Sequence, residues 1–185
     1  MNSQNKIMLI TGATSGIGLS LTEIYLKDGW TVIGIGRKIT LLKSLKDLYL
    51  EKLIIVQCDL SKKENIGETF KNILEKYPSL NSFIFNAGIY KTDDFDTFTE
   101  ESIEETFNIN LLSVYRSLLG IRNRLKEPNQ SLIAIVSSVA GYRGLPAAGA
   151  YCASKSALTS FTESLHFEMK RKNVRVSLVS PGFIK

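Results

Sequence analysis

Tyr151 and Lys155 stand four residues apart in the stretch AYCASKSAL, residues 150–158, and a helix would project both from one face. A free phenol has a pKa of about 10, and a neighbouring ammonium favours its phenolate form. Such a pair could exchange a proton with a substrate oxygen near neutral pH. Tyr-x-x-x-Lys is also a common helical spacing, so by itself it describes a packed aromatic beside a basic neighbour more often than a catalytic pair. Upstream, IVSSVAG closes an apolar run with Ser137 and Ser138. A hydroxyl there could hydrogen-bond a carbonyl oxygen while a tyrosine protonates it, although strand-end serines also serve as turn formers.

A second group of residues suits phosphate. TGATSGIG, residues 11–18, follows the first apolar run directly and carries Gly12, Gly16 and Gly18. Gly12 permits a tight turn, Gly16 lets backbone approach a pyrophosphate, and Gly18 allows close helix packing, while the helix start offers free N–H groups and a positive dipole end. The spacing is G-x-x-x-G-x-G, which departs from the commoner G-x-G-x-x-G. The second apolar run ends VIGIGRK, where dinucleotide folds carry the residue that reads the ribose. An acid there would accept the 2′-hydroxyl and repel a 2′-phosphate; Gly36 removes that repulsion and Arg37 can grip the phosphate with its fork. These residues point to NADP(H) ahead of NAD(H), and Arg37 also fits a solvated loop charge.

The elements that must position these groups alternate along the chain. Short Ile- and Val-rich runs at 6–11, 30–36, 52–58, 82–88, 131–138 and 174–182 are separated by amphipathic segments. The segments end near Asp28 or span about Leu41–Leu50, Lys62–Lys76, Ser102–Lys126 and Tyr151–Lys172. Near-continuous apolar strands separated by helices predict a parallel sheet covered on both faces, a Rossmann-like doubly wound α/β fold. The 185 residues suit one domain, 1–185. In such a sheet the ligand crevice lies beyond the carboxyl ends of the strands, where the motifs above fall.

Composition narrows the function classes. With 44% hydrophobic and 22% charged residues the chain reads as globular. The net charge of +5 is spread out, with no basic stripe interleaved with aromatics, which argues against nucleic acid as a partner. No run is long enough for a secretory signal or a membrane span, so a cytoplasmic location is the default expectation. Cys58 and Cys152 read as reduced core thiols, no residue spacing suggests a metal site, and His166, the single histidine, reads as a packing or surface residue.

Taken together, these motifs resemble those of the short-chain dehydrogenase/reductase family, from Lys6 to the final residue. TGATSGIG resembles the family's cofactor loop, which implies contacts from Gly12, Thr14, Ser15, Gly16, Ile17 and Gly18. CDL, residues 58–60, is similar to the adenine-contacting segment, with Asp59 and Leu60. NAG, residues 86–88, resembles the motif that supports the central sheet, with Asn86, Ala87 and Gly88 near the cofactor. SPG, with Pro181 and Gly182, resembles the loop over the nicotinamide, and NIN, residues 108–110, the helix position of a catalytic asparagine, Asn110. Ser138 precedes Tyr151 by the family's interval, which prefers it to Ser137.

The resemblance implies a mechanism. Tyr151 gives or takes the proton on the substrate oxygen, Ser138 orients that oxygen, Lys155 favours the phenolate and contacts the nicotinamide ribose, and Asn110 holds a water-linked relay to Lys155. NADP(H) is the expected cofactor, NAD(H) the second candidate, and the partner a small carbonyl or alcohol bordered by residues 89–98 and 141–150. A homodimer or homotetramer is implied, with apolar content at Leu111–Leu125 and Ala157–Phe167 to pair helices. Two departures stand out. Ser15 replaces a base found in many NADP-preferring relatives, and Lys185 falls before the family's usual substrate lid and last strand. The rival expectation is therefore a catalytically silent NADP(H)-binding regulator or truncated relative.

Overall fold

The computed structural model describes residues 6–126 and 130–183; Lys185, the chain end weighed above, lies outside them. Six parallel strands form one sheet: β1 (Ile7–Thr11), β2 (Thr31–Gly36), β3 (Leu53–Gln57), β4 (Ser82–Phe85), β5 (Leu132–Val136) and β6 (Arg175–Val179). Their order across the sheet is β3-β2-β1-β4-β5-β6, so the winding reverses between β1 and β4 and opens a crevice beyond their carboxyl ends. This is the expected single Rossmann-like doubly wound unit.

Burial on both faces explains the unbroken apolar strands. Within β1, Met8 and Ile10 join Val32, Leu42 and Ile84 in one layer, and Leu9 joins Phe70, Phe83 and Ile133 in the other. The alternation is the two-residue period of a strand read on both faces. Helices α1 (Gly16–Lys27) and α2 (Thr40–Tyr49) supply Leu26 and Leu42 to the first layer. Helix α3 (Ile66–Lys76) brings Phe70 to the second, and α6 (Gly149–Lys170) brings Leu158.

The segment expected as one helix over 102–126 is more articulated. It starts as α4 (Glu100–Phe107), set by a capping box in which Thr99 and Ser102 satisfy each other's backbone N–H. A π turn follows at Asn108–Leu112, then α5 (Ser113–Ile121), and residues 122–126 continue as turns. The extra residue of a π turn re-aims the side chains around it, and such turns gather at functional sites. No helix among the described residues is long and apolar enough to cross a membrane.

Candidate active site

The β1–α1 turn builds a cradle. Ser15, at the N-cap of α1, is extended and makes no side-chain cap, so the first N–H groups of the helix face outward with the positive dipole end. Gly16 takes φ +50° with nothing within 4 Å of the place a Cβ would occupy, leaving room for a ligand to approach backbone. Gly18 has the opposite reason: its Cβ would lie 2.2 Å from the Gly12 carbonyl oxygen. Asn86 ties β4 to this turn, donating from Nδ2 to the Thr11 carbonyl at 3.1 Å, while Thr11 Oγ1 accepts the Asn86 and Ala87 N–H groups.

Beside the cradle lies a cavity of about 510 Å³ that reaches from the β1 turn past the ends of β2 and β3. Of the residues expected to meet the cofactor, Gly12, Thr14, Ser15, Arg37, Asp59, Leu60, Ala87 and Gly88 line it. Its size and its helix N-terminus fit a dinucleotide. Gly36 also lines it, with a packing cause of its own: a Cβ there would meet Thr14 Cγ2 at 2.4 Å. Partial burial opposes ionisation of Asp59, but hydrogen bonds from Ser61 and the nearby Arg37 charge outweigh it and hold the carboxyl below its usual value. Lys38 lines the cavity beside Arg37; it follows Arg37 in GRK and was legible as a second cation.

Across the switch point the groups are held by side chains. Lys155 is buried on α6 and donates from Nζ to the Val136 carbonyl at 3.0 Å, at the end of β5. Burial lowers its pKa from 10.5 to about 8. Nζ lies 5.8 Å from the centre of the Tyr151 ring, and Tyr151 is half-buried one turn earlier on the same face. Asn110, in the π turn, is fully buried: Oδ1 accepts the Ile89 N–H at 2.8 Å, and Nδ2 donates to the Ile89 carbonyl and to Ser154 Oγ, both at 3.0 Å. Gly88 locates the convergence, because a Cβ there would lie 3.3 Å from Asn110 Oδ1 and 3.4 Å from Lys155 Nζ.

The two serines separate cleanly. Ser137 is buried, donating to the Lys155 carbonyl at 3.1 Å and lying 2.9 Å from Thr159 Oγ1, so it fastens β5 to α6. Ser138 is half-buried, and its oxygen accepts the Ala140 N–H at 3.1 Å, which leaves its own proton available to a ligand.

Gly16, Ile17, Gly18, Asn86, Tyr151, Lys155, Pro181 and Gly182, also expected to meet the cofactor, do not line the cavity. Asn86 supports the sheet, and the Pro181 carbonyl accepts Val139 N–H at 3.0 Å, seating SPG against the Ser138 turn. Two contacts go beyond the sequence reading, in which Ser154 is a small side chain that lets ligands approach and Tyr90 part of the pocket-bordering stretch 89–98: Ser154 holds Asn110, and Tyr90 meets Tyr151 edge-on at 5.0 Å. Neither belongs to a spacing that carries chemistry by itself. His166 is exposed on α6, with Nδ1 3.1 Å from the Val176 carbonyl, and both cysteines are buried and free.

Comparison with known proteins identifies the family and the fold. The family model for short chain dehydrogenase matches residues 6–185. Farnesol dehydrogenase of Aedes aegypti is 30% identical over 190 residues, covering 97% of this chain and 78% of that protein. The 3-oxoacyl-(acyl-carrier-protein) reductase FabG of Rickettsia felis is 32% identical over 188 residues, covering 97% and 73%. A short-chain dehydrogenase from Streptomyces avermitilis superposes with a TM-score of 0.94 at 26% identity, over 100% of this chain and 68% of that one. ElxO with NADP bound gives 0.89 at 27% identity over 98% and 75%, and 4-hydroxyisoleucine dehydrogenase complexed with NADH gives 0.86 at 28% over 98% and 77%. The chain belongs to the short-chain dehydrogenase/reductase family of oxidoreductases.

Proposed function

We propose that the chain is an NADP(H)-dependent oxidoreductase that interconverts a carbonyl compound and its alcohol, with Tyr151 as proton donor and acceptor. The observation that carries this reading is the buried ammonium of Lys155 beside the Tyr151 ring, at a strand end shared with Asn110. When bound, the cofactor supplies or takes the hydride. In the reduction direction the substrate carbonyl carbon gains the hydride, its C=O pair moves onto oxygen, and that oxygen takes the Tyr151 proton. The Ser138 hydroxyl holds the oxygen, the Lys155 charge stabilises the phenolate left behind, and a proton from solvent restores the phenol, while the Asn110 amide, spent on Ile89 and Ser154, braces the loop beside Lys155.

Neighbours in structure carry NADP or NADH, so the choice rests on this chain's own residues. Arg37 and Lys38 are both exposed at the cavity, and Gly36 brings no carboxylate to the end of β2. Those features favour a 2′-phosphate. The residues that would hold the rest of a dinucleotide are the N–H groups opening α1, together with Asp59 and Leu60 at the far side. Leu112 at the end of the π turn, with Tyr115 and Leu119 on α5, leaves an apolar stripe exposed, consistent with a homodimer or homotetramer, and the two free cysteines suit the cytoplasm.

The test is NADPH oxidation with a panel of aliphatic and aromatic aldehydes, ketones and 3-oxoacyl thioesters, in wild type and Tyr151→Phe. Turnover by wild type that disappears in Tyr151→Phe is expected. Turnover that survives loss of the hydroxyl refutes Tyr151 as the acid. A wild type that binds NADPH and reduces nothing in the panel supports the silent regulator instead.

A further inference from the structure

Helix α6 begins without a cap of its own, because Ala148 at its N-cap position has no side-chain acceptor. The acceptor comes from a distant loop. Asp93 Oδ2 accepts the Ala150 N–H at 2.7 Å, the Asp93 N–H donates to the Ala147 carbonyl at 2.9 Å, and Asp93 and Ala148 form an isolated parallel bridge. Ala147 is held at φ +50° beside this bridge, a left-handed conformation that alanine adopts rarely. The second oxygen, Oδ1, is buried and accepts no hydrogen bond among the described residues. A neutral cap would avoid that loss; a carboxylate gains from the positive end of the helix it closes.

The same loop is fixed at its other end. Ile89 exchanges two hydrogen bonds with Asn110, and between Ile89 and Asp93 the ring of Tyr90 meets Tyr151 at 5.0 Å. Ala150 immediately precedes Tyr151, so its bond to Asp93 sets where the helix carrying the phenol starts. We propose that Asp93 is a positioning residue for Tyr151, fixing the first turn of α6 through the Ala150 N–H. This inference rests on Tyr151 being the proton donor.

The test compares Asp93→Ala and Asp93→Asn, using the panel compound that wild type reduces fastest, NADPH binding by fluorescence, and amide exchange at Ala150–Cys152. Because small misplacements of a reacting group are strongly felt, Asp93→Ala should lower kcat on the order of tenfold, leave the NADPH Kd within about twofold, and speed exchange at those amides. Asp93→Asn retains a side-chain oxygen for the Ala150 N–H and should keep kcat within about threefold of wild type. If Asp93→Ala does not fold, Asp93→Glu, which overshoots the 2.7 Å contact, takes its place with the same expectations. An unchanged kcat in the Ala variant, equal losses in both variants, or a parallel loss of NADPH affinity overturns the inference. A wild type that reduces nothing overturns the reading of Tyr151, and this inference with it.

Discussion

The two halves of the crevice are built by different means. On the β1–β3 side the walls are backbone: Gly18 packs where any Cβ would strike the Gly12 carbonyl, Asn86 pins the turn, and the cavity is edged by two exposed cations. On the β4–β6 side the work falls to buried side chains, with Asn110 satisfied on both amide atoms and Lys155 enclosed with one carbonyl as its hydrogen-bond partner. The first half fixes a shape and leaves its charge at the surface, open to change. The second places its charge in the interior, where each group is expensive to keep and hard to replace.

The largest effect should follow from the smallest change on the catalytic side. Tyr151→Phe removes one oxygen from a half-buried ring and should lower kcat by about 10²- to 10⁴-fold, the range of general acid catalysis, with NADPH affinity unchanged. Single-turnover NADPH oxidation checks this. A loss confined to KM would move Tyr151 from chemistry to substrate binding and erase the contrast between the two halves.

Lys155 gives the next largest effect, and its sign can be worked out. Its pKa is lowered from 10.5 to about 8 in the fold, so between those values the unfolded chain holds the proton more firmly. Stability from this group therefore rises with pH across that window, and below about pH 8 the full penalty of burying the ammonium is present. By size of shift that penalty is about 3 kcal/mol. Urea unfolding of wild type and Lys155→Met without cofactor should show a stability difference favouring Met by about 3 kcal/mol more at pH 7.5 than at pH 10.5. The lost bond to Val136 shifts both ends alike, and the raised pKa of buried Cys58 cancels in the difference. A difference that does not vary with pH would falsify the buried charge.

How much of this was legible follows the same division. Strand runs, helices and the cradle could be read because backbone geometry leaves periodic and glycine-rich traces, and every expected strand is present. Tyr151, Lys155 and Ser138 ahead of Ser137 could be singled out as candidates only through the family resemblance, since their spacings are common by themselves. The π turn at Asn108–Leu112 left no such trace, because NINLL continues an ordinary helical pattern and the extra residue is settled by Asn110 reaching Ile89 and Ser154. Asp93 and Tyr90 were hidden for a related reason. Their roles depend on a loop meeting a helix start 57 residues away, and their types are ordinary for a polar loop.

Gly18→Ala probes the backbone-built half. Its Cβ would lie 2.2 Å from Gly12 O and 2.5 Å from Asn86 Nδ2, and main chain cannot yield as a flexible side chain would. A loss of about 2 to 3 kcal/mol in stability is expected, with NADPH binding lost in proportion, measured as a drop in Tm and a raised Kd. A variant with unchanged Tm would show that the turn is softer than its contacts imply.

Arg37→Ala should have the smallest effect, because the cations at the cavity edge are exposed and work in water. Arg37 shares its charge with Asp59, and Lys38 stands beside it, so in the proposed NADP(H) site neither guanidinium nor ammonium would hold a 2′-phosphate alone. One charge-assisted fork in that setting is worth on the order of a tenfold change in NADPH Kd, with NADH affinity unchanged. The preference should also shrink as salt rises, since exposed charges are screened within about 10 Å at 0.1 M. Titrating both cofactors against wild type and Arg37→Ala at low and high salt separates the two halves of the crevice. If the preference survives both salt and substitution, selection is carried by shape at Gly36 and Thr14, and the cofactor side is as rigid in its chemistry as the catalytic side is in its packing.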